Sequence, residues 1–275
     1  MSVKLKIKRA LLKSYYAFTQ TPLVRIRDRD RPPNNQFLIP NVVYQTWETN
    51  DLPRSLAASI SDFRALNPEL GFCLYNNQDR DDFMHSAFAG TDILDLYEAM
   101  LWGPGKADLF RYCILYELGG YYFDINKMCD VPLQSLHSQE DTALISFENN
   151  LVRPTPMVSI AHSIKCPERF FLQWGFGFAK GHRILELALD LAVEHAYMFK
   201  GKIFPAPKDA VVSLTGPGLF TKAVWAYLKE AGDSQNVCQL GIDFDGHGVF
   251  EVKGSWARNV QVPYYGQYKN LPILR

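Results

Sequence analysis

Two oxygen-bearing side chains stand two residues apart in the stretch GGYYFDINKMCDVPL, residues 119–133: the carboxylate of Asp124 and the amide of Asn126. The aromatic run before Asp124 predicts a strand, and side chains two apart on a strand share one face. Such a pair can hold one hard divalent cation, Mg²⁺ or Mn²⁺, that also grips a diphosphate. Because Asn126 lacks the charge of a carboxylate, we expect weaker metal binding. Taken alone the pair is a poor signal, since most Asp-x-Asn sequences are turns or strand ends.

A charged pair lies in the apolar segment just before this stretch, GPGKADLFRYCILYELGG, whose apolar spacing and flanking Pro104 and Gly119 predict a helix. Asp108 and Arg111 are three residues apart and therefore neighbours on one helix face. One interpretation is an ordinary ion pair, worth roughly a few tenths of a kcal/mol. The other is a functional pair, because charges in so apolar a helix are costly to bury without partners. Asp108 suits sugar hydroxyls, and the guanidinium of Arg111 suits phosphate.

The combined run, residues 105–126, resembles the signature of the glycosyltransferases with a DXD sugar-binding motif. That family includes the fungal initiating α-1,6-mannosyltransferases and bacterial capsule and lipopolysaccharide sugar transferases. The matching positions are Lys106, Ala107, Asp108, Phe110, Arg111, Tyr112, Gly119, Gly120, Tyr122, Asp124, Pro132 and Leu133. Asn126 departs from the pattern. Three more segments resemble the family in its order: IPNVVYQTWE from residue 39, LTGPGLFTKAV from residue 214 and GSWAR from residue 254.

The resemblance implies a GT-A type fold, a nucleotide-sugar donor, a divalent cation (Mn²⁺ or Mg²⁺) and transfer with retention of anomeric configuration. It also implies roles for individual residues. Asp108 and Arg111 would hold the donor sugar and the diphosphate, and Asp124 and Asn126 the metal and the ribose. The remaining donor contacts would come from Gln45, Thr46 and Trp47 at the base and ribose, and from Ser255 and Trp256 at the phosphates. Trp47 and Trp256 have a second interpretation as core aromatics.

The third metal ligand is left open by the sequence. The family often has histidines shortly before its Ser-Trp, where this chain has Phe250 and Glu251, with His247 further upstream. Glu251 is the first choice, because its carboxylate could restore the charge lost at Asn126, and His247 is the second. The family has an Asn at the position that corresponds to Ser159 in this chain, so a catalytic role for that amide is in doubt here. Glu148 and Asn149, at a predicted strand end, rank below Asp108 as residues facing the sugar.

Strand and helix signals alternate along the rest of the chain and predict an α/β fold. We expect a single Rossmann-like domain over residues 39–275, with a central mainly parallel sheet flanked by helices and the substrate at the carboxyl ends of the strands. The run PERFFLQWGFGFA, residues 167–179, is interpreted as a helix. Residues 247–262 are interpreted as strand, turn and strand. Residues 19–38, rich in Pro, Arg, Asp and Asn, are interpreted as a linker.

Residues 1–31 carry nine Lys or Arg against Asp28 and Asp30, a net charge of +7, although the whole chain is neutral. The remainder is therefore −7, which argues against nucleic acid as a partner of the body. The basic helical arm could lie on an anionic membrane surface, or it could be a packed terminal helix. It contains no apolar run of the roughly 18 residues that could span a bilayer. Five scattered cysteines fit a reducing cytosol, so we expect a cytoplasmic protein, which would be peripheral at the cytoplasmic face of a membrane if the arm binds lipid.

The resemblance implies a hexosyltransferase that uses a UDP- or GDP-sugar and acts on a saccharide or lipid-linked saccharide in capsule, lipopolysaccharide or other surface glycan synthesis. A rival is a transferase-like binding or scaffold protein of a glycan assembly complex, in which the loss of the second carboxylate has weakened catalysis. A haloacid-dehalogenase-like phosphatase is disfavoured because its second acid and Thr are absent. An EF-hand loop is disfavoured because Met128 and Cys129 stand where an oxygen ligand and Gly belong.

Overall fold

The computed structural model describes residues 3–32, 36–151, 169–232, 236–261 and 270–275. Helices flank a central sheet. The helices are α1 (Val3–Gln20), α2 (Arg54–Leu66), α3 (Asn77–Ala87), α4 (Asp92–Ala99), α5 (Gly103–Leu118), α6 (Arg183–His195), α7 (Pro207–Leu214), α8 (Pro217–Ala231) and α9 (Arg258–Gln261). The strands are β1 (Val24–Arg25), β2 (Val42–Thr46), β3 (Asp51–Leu52), β4 (Gly71–Tyr75), β5 (Gly120–Phe123), β6 (Met128–Cys129), β7 (Ala143–Leu151), β8 (Arg169–Phe171), β9 (Gly175–Phe178), β10 (Val237–Ile242) and β11 (Gly248–Val249).

The central sheet has the strand order β10-β7-β9-β5-β2-β4, with β8 paired to β7. The pairs β10–β7, β5–β2 and β2–β4 are parallel, whereas β9 lies antiparallel to both of its neighbours and β8 is antiparallel to β7. All strands of this sheet except β8 and β9 therefore run in one direction. The predicted α/β class, with a central mainly parallel sheet flanked by helices, is confirmed.

Alternate side chains of the central strands enter two different cores, as the two-residue repeat of a strand requires. Tyr122 packs in the larger core with helices α5, α6 and α8. Its neighbours Tyr121 and Phe123 pack on the opposite face of the sheet, where α2 contributes Phe63. Because β5 is buried on both faces, its carboxyl end is held firmly, and that end leads directly into Asp124.

The helix predicted over 167–179 is wrong in the described part of that range, which forms β8 and β9. Gly175 and Gly177 explain the difference. A Cβ atom on Gly175 would lie 2.8 Å from the ring of Phe123, and one on Gly177 would lie 2.7 Å from the ring of Tyr121. These glycines let β9 lie against the rings of β5. The strand predicted after residue 249 is also wrong, because residues 255–257 form a 3-10 turn that continues into α9.

Residues 24–31, interpreted as part of a linker, pack on the body instead. Strand β1 pairs with β3, Ile26 is buried, and Arg29 exchanges backbone hydrogen bonds with Phe72 of 2.9 and 2.8 Å. The Arg29 guanidinium also donates to the carbonyl oxygens of Arg64, Asn67 and Leu70. The polar composition of this segment concealed how closely it is bound.

The arm is helical, as the sequence predicts, and its carboxyl end contacts the body. Gln20 accepts hydrogen bonds from the backbone nitrogen and the hydroxyl of Ser55, at 3.0 and 2.6 Å. Within the described residues, none of the helices combines the length and the apolar character needed to cross a membrane.

Candidate active site

The carboxyl end of β5 turns sharply at the predicted DXD position. The strand ends at Phe123, the Asp124 backbone nitrogen donates to Trp174 O at 2.8 Å, and the Lys127 nitrogen donates back to Asp124 O at 2.9 Å. Asn126 therefore lies in a turn and not on the strand. The prediction that a strand repeat puts Asp124 and Asn126 on one face is wrong for this reason. The Asp124 side chain is 31% exposed, whereas Asn126 is 1% exposed and its Nδ2 has no hydrogen-bond partner.

Arg111 joins the predicted site residues of α5 to this turn. Its Nη2 lies 3.0 Å from Asp124 Oδ1 and 3.2 Å from Asp108 Oδ1. Its Nη1 donates to Gln173 O at 2.8 Å, and its guanidinium lies 4.7 Å from the centre of the Tyr122 ring. The structure thus brings Asp108, Arg111 and Asp124 together, as the sequence predicted. The guanidinium is occupied by these protein partners. Its role in this geometry is therefore to orient the carboxylates of Asp108 and Asp124.

Asp108 lies deeper than Asp124 and is held by a residue that the sequence analysis did not name. Thr215 Oγ1 donates to Asp108 Oδ2 at 3.1 Å. The Thr215 carbonyl in turn accepts from the Tyr112 hydroxyl at 2.8 Å and from Gln173 Nε2 at 2.7 Å. Burial raises the pKa of Asp108 to about 7, against the opposing effect of the Arg111 charge. The Thr-Gly-Pro turn of the LTGPG segment was the available signal for Thr215.

Lys127 is a second residue that the sequence analysis missed. It is 6% exposed, and its ammonium donates to Phe250 O while lying 3.3 Å from the centre of the Phe250 ring. Burial lowers its pKa to about 8, and the charge of Asp124 opposes this shift. The local sequence gave no sign of this burial, because Phe250 is far away along the chain.

The predicted base and ribose contacts lie at the end of β2, beside β5. The register pairs Tyr44 with Tyr122, which puts Gln45 one position closer to the strand ends. Gln45 is 1% exposed, and neither of its amide atoms has a hydrogen-bond partner. Thr46 Oγ1 donates to Tyr75 O at 2.9 Å, and Trp47 is partly buried in a small core. Unpaired buried amides are costly, so Gln45 is the member of this group that most needs a ligand.

Ser255 and Trp256, predicted at the phosphates, follow a left-handed glycine at position 254. Ser255 is buried, and its nitrogen donates to Val252 O at 3.0 Å. The Trp256 ring packs against the arm, 5.7 Å from the ring of Tyr15 and 6.3 Å from that of Tyr16. This packing favours the interpretation of Trp256 as a packed aromatic.

The predicted third ligands lie near the site but do not complete a metal centre. Glu251 is exposed and acts electrostatically on Lys127, as does Glu148. His247 is turned to Asp130, with Nδ1 and Oδ1 2.9 Å apart on the surface. Of the other residues named from the sequence, Asn149 lies in β7, and Ser159 is outside the described residues.

The donor set fits a tightly held divalent cation poorly. In the described part of the chain, no group of three His, Cys, Asp or Glu side chains is placed to hold a metal ion. One oxygen of Asp124 already accepts from Arg111 and, at 3.2 Å, from the Tyr122 hydroxyl. Hard divalent cations prefer several oxygen ligands, and Asn126 offers an amide whose nitrogen is buried and unpaired. The predicted ligands Asp124, Asn126 and Glu251 therefore remain a prediction that the geometry supports weakly.

Comparison with known proteins finds sugar transferases that are similar to this chain. The family model "Glycosyltransferase sugar-binding region containing DXD motif" matches residues 53–143. Inositol phosphoceramide mannosyltransferase 3 of Schizosaccharomyces pombe is 25% identical over 202 residues, covering 74% of this chain and 49% of that protein. Initiation-specific alpha-1,6-mannosyltransferase of Candida albicans is 24% identical over 238 residues, covering 79% and 57%. The resemblance predicted from the sequence is confirmed.

Two further facts describe the extent of this similarity. The chain spans only about half the length of these two relatives. Among solved structures, "PaToxG Glycosyltransferase" aligns with a TM-score of 0.48 and 16% identity, covering 84% of this chain and 82% of that one.

Proposed function

We propose that this chain, whose residues 53–143 match the sugar-binding region of the DXD-containing glycosyltransferases, transfers a hexose from a nucleotide-sugar donor to a saccharide or lipid-linked acceptor. The observation that carries the proposal is the contact of Arg111 with both Asp108 and Asp124 at the carboxyl end of β5. Ligands of α/β sheets bind at the carboxyl ends of the strands.

Each residue of this cluster has a task in the proposed reaction. Asp108 and Asp124 accept hydrogen bonds from donor hydroxyls, and Arg111 holds both carboxylates in position. The buried amide of Gln45 has unpaired hydrogen-bonding atoms that suit a base or ribose. As the bond to the sugar breaks, negative charge grows on the departing diphosphate, and nearby positive groups stabilise that charge. The acceptor hydroxyl attacks from the same face, as the predicted retention of configuration requires, and its proton passes to the departing diphosphate.

Mannose is the first donor sugar to test. The two relatives described above are both named as mannosyltransferases, and one of them is named for an inositol phosphoceramide acceptor. We therefore propose GDP-mannose as donor and a sugar-bearing or phosphoinositol-bearing lipid among the acceptors. A role in capsule, lipopolysaccharide or other surface glycan synthesis stays part of this proposal.

The exposed surface of helix α1, the N-terminal arm, is suited to an acceptor that lies in a membrane. Phe18 is 88% exposed, and Leu11, Leu12 and Tyr15 are exposed on the same helix, in a segment rich in Lys and Arg. Apolar side chains beside basic residues favour the surface of an anionic membrane. We propose a peripheral position at the cytoplasmic face of a membrane. Binding of the protein to vesicles with and without phosphatidylserine would test this part separately.

Calorimetric titration with GDP-mannose and a panel of other GDP- and UDP-sugars, with EDTA or with Mn²⁺ or Mg²⁺, tests the function. We expect at least one donor to bind, and Asp124→Ala to remove that binding. Asp130→Ala is the matched control, because Asp130 lies on the surface beside His247. If donor binding occurs without transfer to any acceptor, the scaffold alternative gains; if no donor binds under either condition, the enzyme proposal fails.

A further inference from the structure

We propose that Lys127 supplies the positive charge that a divalent cation provides at an Asp-x-Asp site, and that the amide of Asn126 supplies a hydrogen-bond donor, so that the donor diphosphate binds without metal. The inference rests on the proposed function. It arises from the poor fit between a tight metal centre and the side chains of the turn that follows β5.

The charge count of the turn supports this replacement. Compared with an Asp-x-Asp pair beside a neutral residue, Asn126 removes one negative charge and Lys127 adds one positive charge. The local charge therefore changes by two units, which is the charge of Mn²⁺ or Mg²⁺. Two carboxylates and a dication sum to zero charge, and Asp124, Asn126 and Lys127 reach the same sum without a metal.

Lys127 belongs to the same turn as Asp124, and its ammonium is buried beside that turn. Its backbone nitrogen bonds to Asp124 O at 2.9 Å, and its ammonium is covered by the Phe250 ring at 3.3 Å. In the part of the chain that the structure describes, no carboxylate forms an ion pair with this ammonium; Asp124, Glu148 and Glu251 act on it only at longer range, as does Arg258. A charge so poorly screened by water acts strongly on a nearby diphosphate.

The Asn126 amide is a second, independent observation that points to an anion. Its Nδ2 is buried in the turn without a hydrogen-bond partner, and an unpaired buried donor carries a cost that a ligand acceptor would remove. An amide nitrogen cannot coordinate a hard cation, but it can donate to a phosphate or ribose oxygen. Asn126 and Lys127 are therefore two adjacent donors, a pairing that suits an oxygen-rich anion.

Calorimetric titration of the full chain with GDP and with UDP, in EDTA or in Mn²⁺, tests the inference. We expect the parent protein to bind one nucleotide with dissociation constants that differ by less than about threefold between the two conditions, well within 1 kcal/mol. Lys127→Met should weaken binding in EDTA by at least about tenfold. The methionine can pack against the Phe250 and Trp174 rings that the lysine now lies over. Lys208→Met, at an exposed position of α7, is the control and should change neither value.

Two more variants separate charge replacement from a structural role. Lys127→Arg keeps the charge and should keep binding in EDTA. Asn126→Asp, nearly the same in shape, should weaken binding in EDTA and make it respond to Mn²⁺ by at least about tenfold. That response decides the question even if Lys127→Met fails to fold. Parent binding that requires Mn²⁺, or binding in EDTA that is unchanged in Lys127→Met, overturns this inference and leaves the proposed function standing, whereas no nucleotide binding under either condition removes both.

Discussion

Arg111 and Asp124 meet with Nη2 and Oδ1 3.0 Å apart, and this contact joins helix α5 to the turn that follows β5. The two residues belong to different elements, and the same nitrogen also reaches Asp108. Since the side chain of Arg111 is 7% exposed and that of Asp108 10%, neither charge is solvated by bulk water. Each depends on the other and on Asp124, so the folding of this region and the geometry of the site are coupled.

Replacing Arg111 should therefore impair both stability and binding. Arg111→Met leaves Asp108 buried without its charge partner, and breaking one side of a buried pair costs about 3–5 kcal/mol. We expect a loss of that size in the free energy of unfolding, measured in urea, and loss of donor binding. Arg183→Met is the matched control, because Arg183 forms its ion pairs on the surface and should cost less than about 1 kcal/mol. Equal losses for both variants would contradict the coupling.

Asp124→Asn should separate transfer activity from stability. The amide keeps the shape of the side chain and can still accept from Arg111, while Asp108 remains as the charged partner. We expect transfer from the best donor to fall by about 10²-fold or more, as when one group that stabilises a transition state is removed. The free energy of unfolding should fall far less than in Arg111→Met. Near-parent transfer activity in Asp124→Asn would remove Asp124 from the reaction.

The sequence was enough to pair Asp108 with Arg111 through the helix repeat, and it placed Asp124 in the same site only through the family resemblance. It was not enough for Lys127, whose burial depends on Phe250, or for Thr215, whose contact with Asp108 joins distant segments. The strand β9 was missed although Phe176 and Phe178 alternate with Gly175 and Gly177, a two-residue repeat that is typical of a strand. The rings of β5 show why the two glycines are needed.

Arg29 provides a test of the segment that was interpreted as a linker. Its guanidinium donates to Arg64 O at 2.9 Å and to Leu70 O at 2.9 and 2.6 Å. Arg29→Met leaves these carbonyls without a charged donor, so we expect a loss of about 1–3 kcal/mol in the free energy of unfolding. Arg27→Met, at an exposed neighbouring position, should stay within about 0.5 kcal/mol.

The same packing predicts different results for two truncations. Removal of residues 1–19 keeps Gln20 and its contacts with Ser55 but deletes the rings of Tyr15 and Tyr16 that pack on Trp256, so the unfolding temperature should fall slightly. Removal of residues 1–31 deletes Ile26 and Arg29 and should lower the unfolding temperature markedly. Matching temperatures for the two truncated proteins would show that residues 20–31 are a linker after all.

His182 should make the protein less stable in mild acid. Its Nδ1 accepts from the Ile184 nitrogen at 3.2 Å at the start of α6, and burial lowers its pKa to about 4, below the ordinary value of about 6.5. Between these two values the unfolded chain binds a proton that the folded protein does not, so this contribution to stability is present above pH 6.5 and is lost as the pH falls towards 4. For this group alone the loss is about 2 kcal/mol between neutral pH and pH 5. His182→Asn keeps an acceptor for the Ile184 nitrogen and does not titrate in this range. Urea unfolding at the two pH values should therefore show a smaller loss in the variant than in the parent, and equal losses would mean that His182 is not held neutral in the folded protein.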